Sequence, residues 1–174
     1  MKHTRYIIFI FALILITACQ PAQKAPLELA RSTENSVEVT ITLTRAEDGQ
    51  VYLSATFTPV ESKLHLYSKD IPKSGVDGLG RPALLELAPN STLKASGQLK
   101  ESAPAQSLQS GPQGLLVYPT GAVTLSLPVI LPAGTNWLDD QVIVTYMACT
   151  EFNCRPPVEG KVIPIQIPEN EAFN

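Results

Sequence analysis

Apolar and polar residues alternate with a period of two in several segments of this sequence, and this alternation constrains the fold more than any other feature. In SVEVTITLTR, residues 36–45, valine, isoleucine or leucine occupies every second position from Val37 to Leu43. Successive side chains of a β-strand point to opposite faces, so the pattern is typical of a strand with one buried face. Similar alternation recurs at residues 51–57, 122–131 and 160–167.

The distribution of proline and glycine argues against long helices. Fifteen prolines and ten glycines are spread along the 174 residues, and proline inside a helix removes a hydrogen bond and clashes with the preceding turn. Further strands are expected at residues 63–67 and 141–148, with weaker candidates at 82–87 and 92–99. Residues 68–81 form an expected long loop, and residues 100–114 an expected polar loop. About seven to nine short strands predict an all-β fold, an antiparallel β-sandwich of immunoglobulin-like form.

For two strands the sequence predicts a position or a buried face. Proline cannot donate a ladder hydrogen bond, so Pro164 predicts that the last strand lies at a sheet edge. In the strand at 141–148, Ile143 and Met147 share a face, and we expect this face to be buried.

Composition and motifs exclude several functions. With 13 basic and 16 acidic residues and no basic stripe, the chain has no electrostatic basis for binding nucleic acid. Only two histidines occur, which excludes multi-histidine metal sites. The sequence contains no phosphate-binding glycine motif, no Ser-His-Asp set, no HExxH motif and no evident carboxylate pair, so we expect neither a hydrolase nor a bound cofactor.

Residues 1–18 have the layout of an export signal. A basic start precedes an unbroken apolar run of 11 residues at positions 6–16. This run is too short to cross a bilayer, which takes about 20 residues, but it suits a secretory signal. The motif ITAC at residues 16–19 resembles the lipobox of bacterial lipoproteins. That resemblance implies cleavage before Cys19 and a diacylglyceryl group on its thiol.

We therefore expect four parts. Residues 20–35 are polar with two prolines and no strong periodicity, which is typical of a flexible tether. The expected parts are a signal peptide at 1–18, the lipidated Cys19 and tether at 19–35, a sandwich domain at 36–168, and a tail at 169–174. The chain would face the periplasm or the cell exterior, and Gln20 after the cysteine favours the outer membrane in a host that has one.

Cys149 and Cys154 are the two cysteines left once Cys19 carries lipid, and an even pair in an exported domain can form a disulfide. A bridge that closes so short a loop stabilises a fold by only about 2 kcal/mol. At a strand end it is accessible to thiol exchange. Composition leaves a redox pair and a structural staple equally open. A soft metal ion bound by the two cysteines, Met147 and His65 is a weaker alternative.

The segment around these cysteines, YMAC at 146–149 and CRPP at 154–157 followed by the strand at 162–165, resembles the N-terminal periplasmic domain of the thiol:disulfide interchange protein DsbD. The strand LHLYS at 64–68 is similar to an aromatic-containing strand of that family, and the similarity extends loosely over residues 36–168. It implies an immunoglobulin-like sandwich whose cysteine pair cycles between dithiol and disulfide. The family passes electrons from a membrane-embedded conductor to periplasmic oxidoreductases.

The resemblance also implies roles for single residues. Cys154 matches the cysteine that forms mixed disulfides with partners, and Cys149 matches the one that resolves them. His65 and Tyr67 match two ring-bearing positions near the active site, although the family pattern has an aromatic residue at the histidine position. Arg155, next to Cys154, can favour its thiolate. Independently, Pro156 and Pro157 stiffen the chain after Cys154 and leave it open, whereas Cys149 ends a strand and should be less exposed.

The sequence departs from the family in three ways. Four residues separate the cysteines, one fewer than in the pattern, and the stretch at 101–114 that matches the family's shielding loop contains Leu108 but no aromatic residue. The transmembrane and thioredoxin-like parts have no counterpart, so we expect a dithiol/disulfide carrier that depends on thioredoxin-like or membrane reductant-conducting partners. The alternative is a non-catalytic binding or scaffold module of the envelope with a structural disulfide.

Overall fold

The fold is that of a computed structural model, which describes residues 25–108 and 111–173. The expected signal peptide, Cys19 and the start of the tether lie outside the described residues. Within these two ranges the chain forms no helix, and hence none that is long and apolar enough to cross a membrane.

Thirteen β-strands form in the described part of the chain. Seven have four or more residues, namely β1 (Leu27–Glu34), β2 (Val37–Arg45), β3 (Val51–Pro59), β5 (Leu84–Leu87), β10 (Val123–Ile130), β11 (Trp137–Tyr146) and β13 (Val158–Pro168). Six have two residues each, namely β4 (His65–Leu66), β6 (Lys94–Ala95), β7 (Lys100–Glu101), β8 (Gln106–Ser107), β9 (Leu116–Val117) and β12 (Ala148–Cys149).

The strands form two main antiparallel sheets. The larger runs in the order β1-β2-β3-β10-β6, with β7 also paired to β10, and the smaller in the order β13-β11-β5. Two short ladders, β12-β4 and β8-β9, complete the fold. This arrangement confirms the predicted all-β fold of immunoglobulin-like sandwich form.

Side chains from both sheets meet in one hydrophobic core. Alternate residues of β2, from Val37 to Leu43, are fully buried, as are their counterparts in β3 and β10. From the smaller sheet, the core receives Val142, Val144, Ile163, Ile165 and Ile167. The inner faces that alternation predicted for β2, β3, β10 and β13 are therefore confirmed, and β13 lies at a sheet edge, as Pro164 predicted.

Strand β1 corrects the expected boundary of the tether. The tether was expected to reach residue 35, but Leu27–Glu34 pairs with β2 along its whole length. The register shifts between Glu28 and Ala30, and such a bulge places two residues opposite one and breaks the alternation. Because β1 is also an edge strand with half-buried side chains, its sequence lacks the period-two pattern.

The buried face of β11 is also corrected. We expected Ile143 and Met147 to point inward, but Val142, Val144 and Tyr146 are buried while Ile143 and Met147 are half-buried. Both faces of this strand carry apolar residues, so alternation alone did not distinguish them. The candidate at residues 92–99 is reduced to β6, and the expected loop at 100–114 contains β7 and β8.

The sandwich has two ends. The cysteine end contains the turn between β1 and β2 and the segment 147–157. The lower end contains the start of β1, the turn at 46–50, the connection at 131–136 and the C-terminal residues 169–173. At the lower end, Arg45 donates hydrogen bonds to Asn170, and the amide of Asn170 donates to the carbonyl of Pro132 at 2.8 Å.

Candidate functional site

Cys149 and Cys154 lie at the cysteine end, in the connection from β11 to β13. In the ladder β12-β4, Cys149 is the cross-strand partner of His65. The chain then turns, and Cys154 returns to pair with Cys149. One residue further on, the amide of Arg155 donates to the carbonyl of Ala148 at 2.8 Å. Backbone pairing on both sides therefore places the two cysteines next to each other.

The two cysteines form an intramolecular disulfide, which confirms the expected pairing. Thr150 fixes the turn between them: its amide donates to the carbonyl of Asn153 at 2.8 Å, and its hydroxyl oxygen accepts from the amides of Phe152 and Asn153. The turn is thus ordered by its own hydrogen bonds.

The two halves of the bridge differ in exposure. Cys149 is 1% exposed and packs in a small apolar cluster with Tyr67, Ile71, Leu115 and Val117. Cys154 is exposed. This difference confirms the expectation that Cys154 is open and Cys149 is not. A thiol of a partner protein can therefore approach the bridge from the side of Cys154, while Cys149 is enclosed.

Tyr67 contacts the enclosed sulfur directly. Its hydroxyl donates a hydrogen bond to Sγ of Cys149, with 3.1 Å between oxygen and sulfur. Its ring lies against Gly80, where a Cβ atom would come within 2.7 Å of the ring, and Gly80 has a φ of +77°. The position thus requires glycine both for space and for conformation. Burial raises the pKa of Tyr67, so its hydroxyl keeps its proton at neutral pH.

His65 lies beside Cys149. Cross-strand partners in an antiparallel ladder share a face, and the rings of His65 and Tyr67 meet edge to face with 5.5 Å between their centroids. Nε2 of His65 is buried without a hydrogen-bond partner among the described residues. Burial lowers the pKa of His65, so the imidazole is neutral at pH 7 and supplies no positive charge to the sulfur.

Arg155 is paired with a carboxylate. Its Nη2 donates to Oε1 of Glu61 at 2.5 Å, and this hydrogen bond lowers the pKa of Glu61. The charge of Arg155 is therefore shared with Glu61 instead of being directed at Cys154 alone. The candidate residues Cys149, Tyr67 and His65 thus meet at one point, and Arg155 lies at its rim.

Leu108 lies in the stretch that was expected to correspond to a shielding loop, and it packs beside the site. This side chain is half-buried against the cluster that contains Cys149. With Lys63, His65 and Glu151 it lines a shallow cavity of about 420 Å³. Leu108 is thus the large apolar side chain that this stretch contributes to the cluster around Cys149, where the sequence offered no aromatic residue.

Phe152 was not identified from the sequence. It lies at the tip of the turn between the cysteines and is 84% exposed. Val60, in the loop after β3, is a second exposed apolar side chain, and the amide of this residue donates to the carbonyl of Ser36 in the turn between β1 and β2. Phe152 is an exposed aromatic side chain in the turn between the two cysteines, and exposed aromatic residues often form contacts with other proteins. The sequence feature that could have identified Phe152 is its position as an aromatic residue between two cysteines.

The chemistry of the site is that of sulfur. In the two described ranges, no group of three or more histidine, cysteine or carboxylate side chains could hold a metal ion. The alternative of a soft metal relied on Met147, His65 and two free thiols, whereas the two sulfurs are bonded to each other. A bridge between one enclosed and one exposed cysteine can carry out thiol-disulfide exchange.

Comparisons with known proteins find one similarity of fold. No protein-family model matches the sequence, and no curated protein matches it significantly. Among solved structures, the chain is similar to the reduced form of the DsbD N-terminal domain of Neisseria meningitidis, with 15% sequence identity and a TM-score of 0.42. The alignment covers 87% of this chain and 91% of that one.

Proposed function

We propose that this chain is a lipid-anchored, extracytoplasmic thiol-disulfide exchange domain that passes electrons between redox partners through Cys149 and Cys154. The observation that carries the proposal is the unequal exposure of the bridge, with Cys154 open at the surface and Cys149 enclosed beside Tyr67. A purely structural bridge has no need of an exposed sulfur.

In the direction that reduces a partner, the Cys154 thiolate attacks one sulfur of the partner's disulfide. A mixed disulfide forms, and the partner's other sulfur leaves as a thiolate that takes up a proton. The Cys149 thiolate then attacks Sγ of Cys154, which restores the intramolecular bridge and releases the partner's second thiolate. Two electrons and two protons pass from this chain to the partner.

In the direction that recharges the chain, a donor thiolate attacks Sγ of Cys154, the exposed residue of the pair, and Cys149 leaves as a thiolate. Exchange is faster when the leaving thiolate is more stable. The hydroxyl of Tyr67, 3.1 Å from Sγ of Cys149, donates a hydrogen bond to the sulfur on which this charge develops. Tyr67 therefore assists the step in which the bridge opens.

The sequence supports the proposed partners and location. The lipobox-like motif at 16–19 supports lipidation of Cys19 and attachment to the envelope, outward of the cytoplasmic membrane. Thioredoxin-like proteins and membrane proteins that conduct reductant are the partners whose chemistry fits a dithiol carrier. With β1 included, we propose a signal peptide at 1–18, a tether that ends before Leu27, a domain from Leu27 to Pro168 and a short tail.

The redox proposal is tested by the reduction potential of the bridge. The purified mature chain is equilibrated with glutathione buffers of defined ratio, and free thiols are counted by alkylation and mass spectrometry. An exchange domain should titrate above about −300 mV, whereas a structural bridge lies below that value. The Cys149→Ser/Cys154→Ser double variant is the control and should show no titration. A bridge that stays closed across the whole glutathione range would favour the static binding module.

Anchoring is tested separately. Cys19→Ala should abolish acyl labelling and release the chain from the membrane fraction. Cys154→Ser is the matched control, because it removes a cysteine without touching the lipobox-like motif, and it should stay on the membrane. Membrane fractionation and acyl labelling that survive Cys19→Ala would refute the lipid anchor.

A further inference from the structure

The start of the domain and the cysteine pair lie at opposite ends of the sandwich. Leu27, the first residue of β1, pairs with Leu43 near the end of β2, at the lower end. The last residue of β1 lies at the cysteine end, where the carbonyl of Glu34 accepts a hydrogen bond from Tyr146. Along β11, the ten residues from Trp137 to Tyr146 span about 30 Å at the rise of a strand.

Two large apolar side chains are exposed at the lower end. Ile130, the last residue of β10, is 57% exposed, and Trp137, the first residue of β11, is 52% exposed. Trp137 pairs with Pro168 where β13 ends. Trp137 is also the single tryptophan of the sequence. Tryptophan is the side chain most characteristic of the boundary between lipid and water, because its ring is apolar and its N–H is polar.

The length of chain before β1 decides which end faces the lipid. Eight residue steps separate Cys19 from Leu27, which corresponds to at most about 28 Å of extended chain. The cysteine end lies a further strand length away. To place it on the membrane, the tether would have to extend almost fully and fold back beside β1. A lipid on Cys19 therefore keeps the lower end near the bilayer.

We propose that the lower end, through Trp137 and Ile130, rests on the lipid surface to which the chain is anchored, and that the cysteine pair is held on the side facing away from it. This inference rests on the proposed lipid anchor at Cys19. Two apolar side chains cannot hold a domain on a membrane alone, so the contact orients a domain that the lipid already retains.

The charged residues at the lower end indicate which lipid headgroups this end can contact. The turn between β2 and β3 carries Glu47 and Asp48, and the C-terminal segment at this end carries Glu169 and Glu171. Two basic residues also lie at this end: Arg45, which stacks over the ring of Phe173 at 5.3 Å from its centroid, and the exposed Lys94, the cross-strand partner of Ile130. The four acidic residues still outnumber them. An acidic end of this kind has no attraction for anionic headgroups. The contact is therefore apolar, and a zwitterionic surface suits it.

The single tryptophan provides the test. The lipidated mature chain is purified from membranes and reconstituted into phosphatidylcholine vesicles with or without brominated acyl chains, which quench tryptophan on contact. We expect the emission of Trp137 to be shifted to shorter wavelength on reconstitution and to be lost in large part in the brominated vesicles. The matched variant, Trp137→Phe/Phe152→Trp, moves the tryptophan to the exposed turn at the cysteine end and should not be quenched.

Flotation of the same vesicles separates the outcomes. Chains that float while Trp137 remains unquenched would overturn the proposed contact but leave the anchor intact. Quenching of the tryptophan at position 152 to the same extent would overturn the proposed orientation. If the purified chain does not float with the vesicles, the anchor and the contact that depends on it are both refuted, whereas the redox titration of the bridge is unaffected.

Discussion

The hydroxyl group of Tyr67 lies 3.1 Å from Sγ of Cys149 and donates a hydrogen bond to it inside the protein. The two residues are 82 positions apart in the sequence, and the ladder β12-β4 brings their strands together. One sulfur of the bridge thus has a fixed polar neighbour, whereas the other belongs to a residue exposed at the surface. The expected roles of the two cysteines, and the expected effect of Tyr67 on reduction of the bridge, follow from that difference.

The first prediction concerns the roles of the two cysteines. Because Cys154 is exposed and Cys149 is enclosed, Cys149→Ser should leave a reactive Cys154 that accumulates a mixed disulfide with a thioredoxin-like protein. Cys154→Ser should accumulate little. Non-reducing electrophoresis and mass spectrometry identify the adducts. Trapping by Cys154→Ser alone would invert the roles.

The second prediction concerns Tyr67. Tyr67→Phe removes a hydrogen bond to a developing thiolate, so reduction of the bridge by dithiothreitol should slow by about tenfold. In a Cys154→Ser background, the same change should raise the pKa of the Cys149 thiol, measured by the ultraviolet absorbance of the thiolate. Tyr146→Phe is the control, because the Tyr146 hydroxyl donates to the Glu34 carbonyl and not to sulfur. Equal effects of the two variants would show that Tyr67 acts only through packing.

The third prediction concerns recognition by Phe152. Phe152→Ser should leave stability within about 0.5 kcal/mol, because the side chain is exposed. It should slow exchange with a thioredoxin-like protein by roughly tenfold, as expected for an aromatic contact residue, and leave exchange with glutathione unchanged. Ile130→Ser, a change of an exposed apolar residue at the lower end, should affect neither rate in detergent solution. Slowing with both substrates would place the effect of Phe152 on the bridge itself.

The fourth prediction concerns pH. His65 is the single histidine outside the expected signal peptide, and burial lowers its pKa in the folded state. Below about pH 6.5 the unfolded chain binds a proton that the folded chain does not. The free energy of unfolding should therefore fall from pH 7 to pH 5, by at most about 1.4 kcal/mol per pH unit. Denaturant titrations at the two pH values measure the change.

His65→Phe is the comparison for this prediction. It removes the titrating group and the buried unpaired Nε2, so its free energy of unfolding should be nearly constant over the same range. At pH 6 it should exceed that of the original chain by about 1 kcal/mol. The same slope in both proteins would mean that another group is responsible.

Much of the sandwich was predictable from the sequence because its central strands have one buried face and one face toward solvent. Val37 to Leu43 in β2, and the matching residues of β3 and β10, alternate without interruption and are buried as expected. Strand β1 was missed because a bulge after Glu28 interrupts its alternation. In β11, apolar residues on both faces left the choice between Val142 and Ile143 to the packing of the other sheet.

The cysteine pair could be identified from the sequence because both members lie in one short segment. The side chains that pack around the pair could not be placed from the periodicity of the sequence. Gly80 makes room for the ring of Tyr67, and Leu108 packs on the cluster around Cys149, but both come from distant loops. Their positions depend on how loops of irregular sequence pack over the sheets, and periodicity carries no information on that.

Pro164 affects how copies of this chain meet. An edge strand with a complete row of unpaired N–H groups is a template on which a second chain can add a strand and begin to aggregate. β13 is an edge strand of 11 residues. Pro164 lies near its middle and has no N–H, so a strand added there would lack a hydrogen bond at the centre of its ladder. The proline that revealed the edge in the sequence thus also protects a β-rich protein from self-association through that edge.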